Sequence, residues 1–173
     1  RLLELIRRPP AGGNRYDYKR WAMSVDGVTG AYIYPLRRGL GTVDTVITSA
    51  DGLPSDVIIK NVQTYIDDVR PVTAKNHMVL APTIKTVNFN ISVSLSGVTL
   101  ANATANIKSA IGDYFDSLQP GDSIIRSQIE MLISQITGVI DRDVNSPETN
   151  VTASVNASTV EWLRVGDVEV SSL

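Results

Sequence analysis

The 173-residue chain contains no cysteine and a single histidine. The first absence excludes disulfides and thiolate metal sites, and it suits folding in a reducing cytoplasm. With His77 as the lone imidazole, a zinc site would need several carboxylates, and the carboxylates are scattered. His77 itself sits beside Met78, Val79 and Leu80, where it reads as a structural or surface residue. No apolar run approaches the roughly 18 residues of a membrane span. There is no phosphate-binding loop, because Gly12-Gly13 lacks the lysine of that motif and Gly39-Leu40-Gly41 falls in a turn. Asp67-Asp68 lies on the outer face of an expected helix, and Asp141-Arg142-Asp143 opens an expected strand. Neither forms the supported pair that acid–base catalysis needs. The expectation is a protein that is not an enzyme, with no cofactor and no metal.

What is present is the composition of a folded protein: 43% hydrophobic and 20% charged residues. The length fits one ordinary domain or two small ones. The net charge of −2 hides a polarity. Residues 1–38 hold Arg1, Arg7, Arg8, Arg15, Lys19, Arg20, Arg37 and Arg38 against Glu4, Asp17 and Asp26, a balance of +5 that leaves −7 for the rest. Such polarity either guides association with an acidic partner or is a solvated basic surface with no partner. Tyr16, Tyr18, Lys19, Arg20 and Trp21 interleave cations with aromatics as single-strand binders do. Tyr18 and Trp21 fall on the expected core face, however, and the whole chain is acidic, so nucleic acid is not an expected partner.

Periodicity gives the plan. Residues 1–8 read as a helix end with Leu2, Leu3, Leu5 and Ile6 on its apolar side, stopped by Pro9, Pro10, Gly12 and Gly13. Asn14 with Asp17 forms an expected capping box for a helix over 15–25, whose apolar face is Tyr18, Trp21, Ala22 and Val25. Strands at 28–35 and 42–48 make a hairpin around Leu36-Arg37-Arg38-Gly39-Leu40-Gly41. A helix over 55–70 buries Ile58, Val62, Ile66 and Val69, joined by Tyr65, and a short strand follows at 77–81. Residues 86–96 alternate Val87, Phe89, Ile91, Val93 and Leu95 with Asn and Ser, which predicts a strand with one buried face. Its uncharged polar face is either covered by another chain or wet. Helices at 103–118 and 127–136 come next, the second with a capping box at Ser127-Gln128-Ile129-Glu130. Strands are expected near 139–144, 151–155 and 163–170.

A repeat joins the two halves. Counted back from Gly27, apolar residues occupy the same offsets as those counted back from Gly138, and a valine follows each glycine. The expected fold class is α+β, built as two small related units with helices packed on a short, mostly antiparallel sheet. The boundaries are 1–13 for a helix end and linker, 14–84 for the first unit and 85–173 for the second.

The stretch Arg7–Pro35, RRPPAGGNRYDYKRWAMSVDGVTGAYIYP, resembles the start of the C-terminal region of baseplate J-like proteins, wedge components of contractile phage tails. RPVTA from Arg70, VLAP from Val79 and PGDSI from Pro120 match the same family. The first residue is Arg1, and the chain reads as a piece of a longer protein. The resemblance implies a structural component of a virion tail baseplate, assembled in the bacterial host cytoplasm. It would act in a homo-oligomeric ring with other wedge and hub proteins, without a membrane span or nucleic acid. The alternative is an adaptor module of a phage-derived contractile secretion machine. The resemblance transfers no catalytic residues. Candidate partner-interface residues are Arg7, Arg8, Arg37 and Arg38 at the basic end. Trp162 joins them, since a tryptophan beside a terminal strand is either local core or an interface anchor.

Overall fold

The change from 3.6-residue to two-residue periodicity at Gly27 is realised as α1 (Arg15–Met23) leading into β1 (Gly30–Pro35). The computed structural model describes residues 6–7, 9–50 and 52–173. They divide into two compact units. The first is the chain through Thr83 together with Val155–Val160; the second is Ile84–Ser154 with Glu161–Leu173. Each is α+β.

In the first unit, β1 is followed by β2 (Thr42–Thr48), α2 (Asp56–Val69) and β3 (Asn76–Leu80). The sheet order is β1-β2-β3. β1 runs antiparallel to β2, with Gly30 opposite Thr48, while β3 runs parallel to β2, with Thr42 opposite Asn76. A parallel neighbour requires a crossover, which α2 supplies. The Asn14 side chain accepts from the Tyr16 and Asp17 amides, and Asp17 returns a bond to the Asn14 amide, completing the capping box of α1. Tyr18, Ala22, Ala31, Ile47, Val62, Ile66 and Val79 form the core.

The second unit contains β4 (Thr83–Leu95), α3 (Leu100–Ser117), α4 (Arg126–Ser134), β5 (Val139–Ser146) and β6 (Glu161–Ser172). Its sheet order is β5-β4-β6, with β5 antiparallel to β4. Side-chain contacts of Asn88 with Asp167, Asn90 with Glu169 and Ser92 with Ser171 keep one constant offset, the register of a parallel pair. The inward row of β4, Val87 to Val93, packs with Ile107, Ile111, Phe115, Ile129, Ile133 and Leu163. Each fully buried side chain of this size contributes about 1.5–3 kcal/mol.

The repeated Gly-Val step is present in both units. Gly27 and Gly138 each have φ +89°, and the residues capping the preceding helices, Ser24 and Gln135, share a right-handed helical geometry. Positive φ suits glycine because no Cβ meets the neighbouring carbonyl. Tertiary space adds a second reason. A Cβ at Gly27 would press on the Ile58 side chain, and one at Gly138 would collide with Val98 and approach the Ser96 carbonyl oxygen.

Several expectations are corrected. Both sheets are mixed, each with one parallel pair, where mostly antiparallel sheets were expected. Ser127 does not cap α4: the cap position is Ile125, which makes no side-chain bond. The side-chain Oδ1 of Asn150 accepts from the Arg126 amide instead, at 2.9 Å. No strand forms at 151–155. Val151 makes an isolated bridge to Ile124, and Val155 one to Val160. Tyr65 is exposed on the outer side of α2. The expected helix end at 1–8 lies outside the described residues apart from Ile6 and Arg7.

Candidate functional site

Asp44 occupies the middle of β2 and is fully buried. A lone buried carboxylate would be strongly destabilising, and the two arginines of the preceding turn answer it. Arg37 Nε donates to Asp44 Oδ2 at 2.6 Å, and Arg38 donates from Nε and Nη2 to Oδ1 at 2.9 and 2.7 Å. Burial alone would raise the Asp44 pKa, but hydrogen bonds from Arg38 and Arg37 hold it below the ordinary carboxylate value. Arg38 is raised in turn by its bond to Asp44. Arg38 Nη2 also reaches Asn76 Oδ1, and Arg37 Nη1 donates to the Asn156 carbonyl. The cluster therefore ties the turn between β1 and β2 to the centre of the sheet.

This placement changes the meaning of two candidate interface residues. The Arg37 side chain is only 3% exposed and Arg38 22%. Their charge is committed to Asp44 and is not a free basic surface. Arg7 is exposed, and Arg8 lies outside the described residues. Trp162 is buried in the second unit, its Nε1 donating to the Leu118 carbonyl at 2.9 Å with the Arg164 guanidinium over its ring. Its burial fits the first of the two readings its place beside the terminal strand allowed, local core.

The Pro/Gly segment is also engaged. The Ala11, Gly13 and Asn14 amides all donate to Asp17 Oδ2, and Arg20 pairs with the other carboxylate oxygen. Burial opposes ionisation of Asp17, yet these amides and Arg20 hold its pKa low.

His77 is buried and bonded on both ring nitrogens. The Val79 amide donates to Gln63 Oε1, which identifies Nε2 as the donor end of the Gln63 amide. That end faces His77 Nδ1, so Nδ1 accepts and Nε2–H donates to Thr45 Oγ1 at 3.0 Å. The imidazole is neutral, its pKa pushed down to about 4 chiefly by burial. A histidine fixed in this way joins β3 to β2 through Thr45 and to α2 through Gln63.

The outward face of the second sheet is different. Asn88, Asn90 and Ser92 of β4 lie between Asp141, Asp143 and Asn145 of β5 and Asp167, Glu169 and Ser171 of β6, and the two edge rows are exposed. Asn145 Nδ2 donates to Asn90 Oδ1 and Ser92 Oγ, so the face is cross-linked by short polar side chains. Among the described residues no group of three or more His, Asp or Glu side chains could hold a metal, and no helix is long and apolar enough to cross a membrane.

Sequence reasoning missed Asp44, Gln63 and the engagement of Asp17 by the linker. One signal was available: Asp44 interrupts an otherwise apolar and Thr-rich strand six and seven residues after an Arg-Arg pair.

Comparisons with known proteins agree with this architecture. The baseplate J-like central domain matches residues 10–80 and the baseplate J-like protein C-terminal domain matches residues 87–171. The chain is 32% identical to baseplate protein gp47 of Escherichia phage Mu over 94% of its own length and 49% of the relative's. It is 30% identical to the Mu-like prophage FluMu protein gp47 of Haemophilus influenzae, over 98% of this chain and 49% of that one. It thus spans about half the length of the curated relatives it matches. A cryo-EM structure of the anti-feeding prophage baseplate contains a chain of similar fold, with TM-score 0.65 and 11% identity, over 92% of this chain and 39% of that one. With both domain models matched in succession, the chain belongs to the baseplate J-like protein family.

Proposed function

We propose that this chain is a structural part of a contractile-tail baseplate wedge, holding neighbouring baseplate subunits around the hub without breaking any bond. The observation that carries the reading is the succession of the two family domains along nearly the whole chain. The geometry is compatible with it, because three of the buried ionisable groups, Asp17, Asp44 and His77, are each satisfied by internal partners. A catalytic group would instead face a cleft. In the same reading the working pieces are residues 14–84 and 85–173, with 1–13 as a linker, inside a virion tail assembled in the host cytoplasm. Exposed Arg7 and the basic N-terminal region remain candidates for contact with an acidic neighbour.

The test is removal of this segment from its parent protein, followed by electron microscopy of the particles. Tails without baseplates, restored by the unaltered segment, are expected. Normal baseplates after removal would refute the reading, as would reproducible turnover abolished by a single carboxylate or His77 substitution.

A further inference from the structure

We propose that β6 is a docking edge of the second unit. Its outer rim, from Val168 to Ser172, takes up an extended segment of another protein whose side chains alternate between basic and apolar. The proposal rests on the assembly reading above only for the source of that segment, a neighbouring protein of the particle.

The two edges of the second sheet are treated differently. Along β5 the pairing with β4 is interrupted by two register shifts. Arg126 lies against its backbone, with Nη2 on the Val144 carbonyl at 3.0 Å and Nη1 on the Glu148 carbonyl at 3.3 Å. Irregular pairing and a charged side chain laid on the main chain keep an edge from pairing further. β6 is closed only at its start, where the Glu161 amide donates to the Ser154 carbonyl and the Glu161 carbonyl accepts from the Gly121 amide. Farther along, its one neighbour in the sheet is β4. The Leu173 amide donates to the Val93 carbonyl, while Glu169 and Ser171 meet Asn90 and Ser92 across the same pair. Backbone groups alternate sides along a strand. The amides and carbonyls of Val168, Val170 and Ser172 therefore point away from β4. Among the described residues no loop or turn is bonded to them. Such a row is a template for one more strand.

The side chains decide which strand fits. Val168 is buried and Val170 partly so, both packed on the core, and apolar residues of an incoming strand extend that core past them. On the other face Asp167 and Glu169 are exposed. The unit's cations are placed elsewhere. Lys85 pairs with Glu161, Arg126 with Glu130 and Asp143, and Arg164 with Asp116. Arg142 stands opposite Val93 on the core side, and Lys108 is on α3. Beside the two carboxylates a pocket of about 200 Å³, lined also by Asn88, Asn90 and Ser146, has room for a guanidinium. Opposite charges on adjacent strands stabilise the pair and like charges oppose it. Charge thus excludes β6 of a second copy, because antiparallel self-pairing over this stretch sets Asp167 and Glu169 of one chain beside those of the other. The same charge selects lysine or arginine at alternate positions of a foreign strand.

The test uses the full chain and synthetic octapeptides. An alternating Arg-Val peptide should slow amide exchange at Val168 and Val170 at least tenfold at saturation, read by NMR, with the β5 amides unchanged. It should bind about tenfold more tightly than a Ser-Val twin, the equivalent of two favourable cross-strand charge pairs. The Arg-Val peptide with every backbone amide methylated keeps its charge but cannot donate, and it should not bind. Glu169→Lys should reverse the preference, towards a Glu-Val peptide. No binding, equal binding of the methylated peptide, or protection on β5 in place of β6 would each overturn the docking edge. In the parent protein, Val170→Pro removes one outward amide at a position where an edge strand tolerates proline. It should lower the yield of complete baseplates at least tenfold with an unchanged Tm. Normal baseplates from a folded Val170→Pro protein would overturn the docking edge and leave the baseplate reading standing, which fails only if baseplates form without the whole segment.

Discussion

The two units share a plan and differ in how they treat the central strand of the sheet. In each, that strand has an antiparallel neighbour entered from a helix through a Gly-Val step, and a parallel neighbour on its other side. The chain order differs: the antiparallel edge precedes the central strand in the first unit and follows it in the second. In β2 every residue but Val43 is buried, on both faces, so Asp44 and Thr45 had to be given internal partners. In β4 burial alternates, and the Asn and Ser side chains remain on the outer side. A strand closed on both faces turns its polar residues into structural joints. A strand open on one face can carry polar residues at little cost and keep them available.

The contrast is breakable by substitution. The largest effect is expected for Asp44→Ala, which leaves two guanidinium groups at a buried site without their carboxylate. Loss of about 3–5 kcal/mol is expected, confined to the unfolding signal of the first unit and measurable by denaturant titration. An equal loss in the second unit would show that the two do not behave separately.

The next effect is of pH. Folded His77 has a pKa of about 4, below the ordinary value of 6.5. The unfolded chain therefore binds this proton first as pH falls. Stability of the first unit should decline between pH 6.5 and 4 by an amount on the order of 3 kcal/mol, then cease to change on account of His77 below that. His77→Gln should flatten this window. Asp17 and Asp44, whose pKa values are lowered, contribute their own loss only below about pH 4. The second unit has no histidine and should not follow the same curve.

A smaller difference separates the matched glycines. Valine at Gly138 meets Val98 and the Ser96 backbone, whereas at Gly27 it meets the movable end of Ile58. Thermal unfolding should show a loss of about 1–3 kcal/mol at Gly138 and a lesser one at Gly27; the reverse order would refute the packing argument. The smallest effect concerns the helix caps. Asn150→Ala and Asn14→Ala should each lose about 1 kcal/mol, one by a distant cap and one by a local cap. A neutral Asn150→Ala would mean that water replaces it.

The elements that were legible in advance are those with strong local signals. The alternation of residues 86–96 became β4 (Thr83–Leu95), and the Asn14–Asp17 box became the start of α1. Gly27 and Gly138 took the positive φ that their place after a helix implied. Ser127 misled because its local pattern was right while Asn150, 24 residues along the chain, already served the Arg126 amide. Arg37 and Arg38 looked like surface charge because arginine usually is, and only the strand pairing brought Asp44 beneath them.

By itself the sequence determined the α+β class, the Asn14–Asp17 capping box, the glycine steps and the absence of any thiol chemistry, since each depends on composition or on residues within a turn or two of one another. Tertiary structure decided the parallel neighbours, the burial of Arg37, Trp162 and His77, and the open face of β4. Those outcomes depend on which surfaces meet. That is set by the packing of the whole unit, in which residues far apart in the chain satisfy one another's charge and hydrogen bonds.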